Sequence, residues 1–319
     1  MKKRMIAFAV AFIILAGLIP QIPANASASF TPVTGWDMMA RLGLGYTFAN
    51  TTEARSWPWD DYTYENSEDA WGQPRIRQWH LESVALKGFD SYRMCVTWTT
   101  HMDANYVIDP AWLDRIQEIT DWALAAGLNV VINTHMEEEL YWLIRDNEFA
   151  AAERHLNAIW SQVAERFKDY PEGVVFEILN ESNLLEHYQG PGEWISRNGH
   201  EVCPQLSDMV NRLNASALNV IRNAGGNNAQ RVVILGIPGA QPHAIPQLQI
   251  PDNDPYIMVG AFGYPSYAIN DDTIHFAQSL LDRGIGFVNK EDNTFTDGAG
   301  VPYSVRPEQL TRTHFTRLA

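Results

Sequence analysis

The sequence predicts an α/β barrel, and three observations lead there. Short β-rich apolar runs alternate with helical stretches along the whole chain, as a parallel sheet with crossover helices requires. The helical stretches tend to open at proline and close at glycine. The doubly wound alternative wants a glycine-rich phosphate turn after the first strand. Gly43-Leu44-Gly45 lies inside a strand-like run and lacks the third glycine. The expected architecture is therefore a (β/α)8 TIM barrel. Seven strands are legible and the chain ends where an eighth should begin, so the expectation is a barrel truncated before its eighth strand.

Taken in order, residues 40–48 read as the first strand, followed by a loop bearing Trp57, Trp59, Tyr62, Tyr64 and Trp71. Pro74 is expected to open a helix that runs to Lys87 and stops at Gly88. Strand 91–97, helix 110–126 and strand 129–133 follow, then helix 151–168 and the run Val174-Val175-Phe176-Glu177-Ile178-Leu179. A continuous apolar run of this kind suits a strand covered on both faces. Helix 205–223, strand 231–235, the run 256–261, helix 272–282 and strand 285–289 complete the alternation, with a last helix from Pro307. No short-period repeat, low-complexity segment or inter-domain linker interrupts it.

Residues 1–26 stand apart. Lys2, Lys3 and Arg4 precede an apolar run and Ala24-Asn25-Ala26 offers a small-x-small cleavage site, the pattern of a secretory signal peptide. The apolar run, residues 5–19, falls short of the roughly 20 residues that a spanning helix needs. The expected product is a secreted, extracellular chain of residues 27–319, with no membrane association after cleavage. The net charge of −15 becomes −18 once the three cationic residues leave with the signal. Such a surface disfavours nucleic acid and anionic lipid as partners and suits a neutral substrate. Cys95 and Cys203 are the only cysteines. Two cysteines make no disulfide framework, and no Cys/His spacing suggests zinc.

Active sites of such barrels sit where strands end. Alternation along residues 91–97 places Arg93, Cys95 and Thr97 on one side, and an arginine facing a barrel interior must meet a carboxylate or a ligand. Strand three ends in Asn133-Thr134-His135, strand four in Asn180-Glu181 and strand seven in Lys290-Glu291. Singly these residues could be solvated or structural. Together they resemble a site for two-carboxylate chemistry.

The same residues carry a resemblance. Glu68-Asp69-Ala70-Trp71-Gly72-Gln73-Pro74, Gly88-Phe89-Asp90-Ser91-Tyr92-Arg93-Met94-Cys95-Val96-Thr97-Trp98, Ile132-Asn133-Thr134-His135 and Phe176-Glu177-Ile178-Leu179-Asn180-Glu181 are similar to glycoside hydrolase family 5. Gly225-Gly226-Asn227-Asn228 followed by Arg231 resembles its endoglucanase and xyloglucanase branch, subfamily 4. The resemblance implies a (β/α)8 barrel of retaining enzymes that act on β-1,4-linked glucans without metal or cofactor. By position, Glu181 would be the acid/base and Asn180 would bind the sugar 2-hydroxyl. Arg93 would order the carboxylates, and His135 would line the subsite beside the scissile bond. Glu291, 110 residues beyond Glu181, matches the nucleophile position most nearly, though its flanking residues depart from the family pattern; the alternative is a nucleophile beyond residue 319. Trp57, Trp59, Trp71 and Trp142 could stack on sugar rings.

Other departures are Ser182 for the family's proline, Met136 for its second histidine, and Gly260 and Phe262 for a His-x-Tyr pair. The expected function is a secreted, monomeric endo-β-1,4-glucanase-like hydrolase acting on cellulose, xyloglucan or mixed-linkage glucan. A carbohydrate-binding pseudoenzyme or inactive fragment of the same barrel, and a β-mannanase on the same fold, remain as alternatives.

Overall fold

A computed structural model describes residues 30–55, 67–145, 148–182, 204–238, 242–261, 286–289, 294–296 and 302–304. Seven strands form one sheet in sequential order, every neighbouring pair parallel. They are β1 (Gly45–Tyr46), β2 (Ser91–Met94), β3 (Asn129–Asn133), β4 (Val174–Glu177), β5 (Val233–Gly236), β6 (Ile257–Ala261) and β7 (Gly286–Asn289). The α-helices among the described residues are α1 (Gly35–Leu42), α2 (Gln78–Leu86), α3 (Pro110–Ala125), α4 (Glu138–Arg145), α5 (Phe149–Phe167) and α6 (Pro204–Asn223). Sequential parallel order is the winding of a (β/α)8 barrel. Among the described residues no eighth parallel strand joins this sheet; β8 (Thr294–Thr296) and β9 (Pro302–Ser304) instead pair antiparallel with each other.

Alternation divides the apolar side chains into two cores. Tyr92, Met94, Val130, Ile132, Phe176, Val233, Leu235 and Val259 point outward and pack under the helices in the larger cluster. Val131, Val175, Ile234 and Met258 point inward and meet Met38 and Leu42 of α1. Thus α1 plugs the end of the barrel at which the strands begin. Its close fit is visible at Gly35, where a Cβ would stand 2.0 Å from the carbonyl oxygen of Ile257.

Three expectations need correction. Residues 40–42 belong to α1 rather than to the first strand, which is only Gly45–Tyr46. The helix wins because Thr34 caps it by accepting from the Asp37 amide at 3.1 Å, and Met38 and Leu42 lie on one face. Gly43, at φ 46°, then turns the chain out. Pro74 does not open α2, which starts at Gln78; residues 73–77 hold no regular structure, and the Ile76 carbonyl is taken by Arg115 at 2.6 Å. Several strands are shorter than expected, β2 ending at Met94 and β4 at Glu177. The expected signal segment, helix 272–282 and the last helix lie outside the described residues.

The Gly225-Gly226-Asn227-Asn228…Arg231 motif has a structural explanation. It lies between α6 and β5, at the barrel end opposite the rim where strands finish. Gly226 has φ 56°, and a Cβ there would come within 2.7 Å of the Lys168 carbonyl oxygen. Arg231, fully buried, donates to the carbonyls of Phe167 (2.8 Å), Tyr170 (3.0 Å), Pro171 (3.0 Å) and Val174 (2.8 Å), and to Asn228 Oδ1 (2.9 Å). Burial, reinforced by Arg222 nearby, lowers its pKa to about 9. One guanidinium thus satisfies the turn that feeds α5 into β4, a job its five-donor fork can do and an ammonium cannot. Arg231→Ala is expected to cost about 3–5 kcal/mol, because it strands buried acceptors. Chemical denaturation checks this, and a loss below about 1 kcal/mol would mean that water replaces the guanidinium.

Candidate active site

The C-terminal ends of β2, β3 and β4 gather the polar groups. Arg93 on β2 reaches over β3 to the last residue of β4: its Nε donates to Glu177 Oε2 at 2.7 Å and its Nη2 to Glu177 Oε1 at 3.0 Å. The same Nη2 donates to Asn180 Oδ1 at 2.7 Å, and Nη1 faces Cys95 Sγ at 3.4 Å. Burial alone would lower the Arg93 pKa, but the charge and hydrogen bonds of Glu177, with Cys95 and Glu53, carry it above its ordinary value. A bidentate fork of this kind fixes both partners in one plane.

With its oxygen held by Arg93, Asn180 presents Nδ2 to His135 Nε2 at 3.4 Å. Asn133 spends its oxygen on the Val96 amide (3.0 Å) and presents its own Nδ2 to His135 Nδ1 at 3.4 Å. A neutral imidazole has one acceptor, so the ring takes only one of these two donors at a time. The backbone beyond the labelled strands stays stitched by His135 N to Val96 O (2.8 Å) and Asn180 N to Thr134 O (3.2 Å). Arg93, His135 and Asn180 are therefore brought together as one network. Glu181 follows Asn180, half-buried, and its carbonyl accepts from the Tyr141 hydroxyl at 2.7 Å. Burial, with the charges of Glu137 and Glu181, raises the Tyr141 pKa, which keeps that hydroxyl a donor. Trp142 is half-buried beside Tyr141 on α4. Glu291, Phe262, Trp57 and Trp59 lie outside the described residues.

Three departures find physical explanations. Ser182 is buried, and its hydroxyl donates to the Ile237 carbonyl at 2.7 Å where β5 ends. Met136 is exposed, at φ 55°, and its carbonyl accepts from Arg55 Nη1 at 2.6 Å, a contact that holds the backbone in a conformation uncommon outside glycine. Gly260 stands in register with Gly236, so this pair adds no side chain of its own, and a Cβ at Gly236 would come within 2.8 Å of the Leu179 Cβ.

Besides Glu177, two buried acids were not anticipated. Glu53 accepts from the Asn50 and Thr51 amides at 2.6 and 3.1 Å. Burial raises its pKa, opposed by those amides and by Arg93. Glu137 accepts from the Trp98 and Thr99 amides at 2.7 and 3.1 Å and from the Thr99 hydroxyl, so it clamps the loop after β2 to the end of β3. Thr99 Oγ1 also lies 2.9 Å from His155 Nε2, and burial depresses the His155 pKa to about 4. Glu137 was hidden in the run Glu137-Glu138-Glu139, which reads as a solvated helix start; its place two residues after His135 was the available signal.

Parallel strands in sequential order, with arginine, histidine, amide and carboxylate groups converging where they end, define a barrel with an enzyme-type rim. The chain belongs to the cellulase family, glycosyl hydrolase family 5, whose model matches residues 50–298. Endoglucanase A of Ruminococcus albus is 34% identical over 247 residues, covering 76% of this chain and 64% of that protein. The cellulase/esterase CelE of Acetivibrio thermocellus is 32% identical over 241 residues, covering 74% and 27%. A solved GH5 xyloglucan-specific endo-β-1,4-glucanase from a metagenomic library, in complex with cellotriose, superposes with a TM-score of 0.70. It is 27% identical, with 83% of this chain and 81% of that one covered. The chain spans less than two thirds of the length of the curated relatives it matches.

Burial dominates at Glu137, raising its pKa from 4.5 to about 7 against the pull of Thr99 and the Trp98 amide. The folded acid thus keeps a proton that the unfolded chain releases, so its contribution to stability is full at low pH and falls as pH rises from 4.5 towards 7. The shift corresponds to at most about 3 kcal/mol. Glu137→Gln, which cannot ionise, is expected to gain on the wild type by up to that amount between about pH 5 and 8. Parallel stability curves for the two proteins would show that Glu137 does not titrate there.

Proposed function

We propose that this chain carries the site of an endo-acting β-1,4-glucanase with a retaining mechanism. The observation that supports the reading best is the Arg93–Glu177–Asn180–His135 network directly beside Glu181. In this reading Asn180, oriented by Arg93, offers its amide to the sugar hydroxyl next to the reacting carbon. Glu181 gives a proton to the leaving oxygen and then takes one from water. Retention requires a second carboxylate about 5–5.5 Å from the first. Glu291 is proposed for that role because in the sequence it follows the last residue of β7 by two positions, and catalytic groups of barrels come from the segments that follow strand ends. His135 and Trp142 are proposed to line the sugar subsites. The relatives named as endoglucanases, and the neighbour solved with cellotriose, support a β-glucan substrate.

The pattern of residues 1–26 supports export, and the acidic chain suits a neutral polymer outside the cell. A second reading, a carbohydrate-binding pseudoenzyme, is favoured by Gly260 and Met136, which replace family histidines near the chemistry.

A general acid matters most when the leaving group is poor. Glu181→Gln is expected to lower kcat/KM on carboxymethylcellulose by about 10²–10⁴-fold, yet to slow glycosyl transfer from a dinitrophenyl cellobioside far less. Equal loss on both substrates would remove Glu181 from the acid role. Wild-type protein that binds cellohexaose but releases no reducing ends would establish the pseudoenzyme instead.

A further inference from the structure

On the outer wall of the barrel, α2 and α3 lie side by side, and residues of both line an open cleft of about 890 Å³. Trp79, in the first turn of α2, is 60% exposed, more than Trp36 at 41% or Trp71 at 38%. So exposed an indole offers apolar surface that a ligand can cover. The ring packs against a neighbour, its centroid 3.8 Å from that of His80. A second indole, Trp122 of α3, is half-buried in the same lining, with the Arg115 guanidinium 5.1 Å from its ring.

The polar groups around the two indoles are held in place. Arg115 is clamped by Glu68 at 2.9–3.0 Å and by Glu118, and Arg75 also pairs with Glu68, at 2.9 Å. Gln78 donates to Glu82 at 2.9 Å, so an amide and a carboxylate stand beside Trp79. Three arginines (Arg75, Arg77 and Arg115) balance three glutamates (Glu68, Glu82 and Glu118), a neutral neighbourhood on a chain of net charge −15. A polyanion would meet Glu82 and Glu118, and a purely apolar partner would have to desolvate the exposed charges of Arg77, Glu82 and Glu118. A sugar ring fits both features, since its C–H face packs on an indole and its hydroxyls pair with planar donors and acceptors.

We propose that this cleft is a second carbohydrate site, which holds a neutral β-1,4-linked glucan chain on the outer wall through Trp79, separate from the catalytic rim. The proposal rests on the glucan substrate proposed above. It would tether the protein to polymer without taking part in cleavage.

Native electrophoresis through gels containing hydroxyethylcellulose or xyloglucan tests it with wild type, Trp79→Ala, Trp79→Tyr and Glu181→Gln. Wild type and Glu181→Gln should be retarded alike. Trp79→Ala should bind about tenfold more weakly, equivalent to about 1.4 kcal/mol, and Trp79→Tyr should recover part of the loss. Trp79→Ala should also cleave cellohexaose at the wild-type rate. Retardation of Trp79→Ala equal to that of wild type, or no retardation of wild type in either gel, overturns the proposal. If wild type releases no reducing ends from cellohexaose, the hydrolase reading fails, while comparison of the retarded variants still decides the cleft.

Discussion

The buried ion pair of Arg93 and Glu177 is the constraint on which the rim depends. Taking a guanidinium and a carboxylate out of water is costly, and only close, fully hydrogen-bonded pairing offsets it. Here the fork meets both carboxylate oxygens and the Asn180 oxygen, and Glu177 is almost wholly buried. The pair links β2 to β4 across β3, where Arg93 is in register with Val131 and Glu177 with Asn133. A slip of either strand by one residue would turn one partner into the outer core. Register, side-chain direction and site geometry are thus one condition. Asn180 and His135 take their orientations from it, and Glu181 is the next residue along.

The two ends of the barrel divide the work. Where the strands begin, α1 seals the interior with Met38 and Leu42, and Arg231 binds the carbonyls of Phe167 and Pro171 before β4 and of Val174 at its start. Where they finish, the interior turns polar and buried acids hold the loops. Glu53 and Glu137 each gather two backbone amides of those loops. The packed end supplies stability, and the polar end can then be shaped for ligand contact at some energetic cost.

Much of this was legible in the sequence, and what was not has physical reasons. Strand–helix alternation gave the seven strands, because buried parallel strands show as apolar runs. Arg93 announced that it needed a carboxylate, yet its partner was missed. Glu177 sits inside an apolar run, while the exposed-looking Asn180-Glu181 pair drew the functional reading. The glycine-asparagine motif near Arg231 looked like a mark of substrate class; its groups are spent on carbonyls at the far end of the barrel. The first strand was over-read because a short amphipathic helix ending in glycine and a β-rich run share the same apolar residues until the cap at Thr34 is recognised. Trp79 escaped notice because an aromatic residue at helical spacing usually belongs to a core.

The most direct test of the account is a double-mutant cycle on Arg93→Met and Glu177→Gln, read by equilibrium denaturation. An organising pair predicts that each single variant loses about 3–5 kcal/mol by leaving its partner buried and uncompensated, and that the double variant loses clearly less than the two together. Losses that add within about 0.5 kcal/mol would contradict it, since independent side chains cannot set one another's geometry.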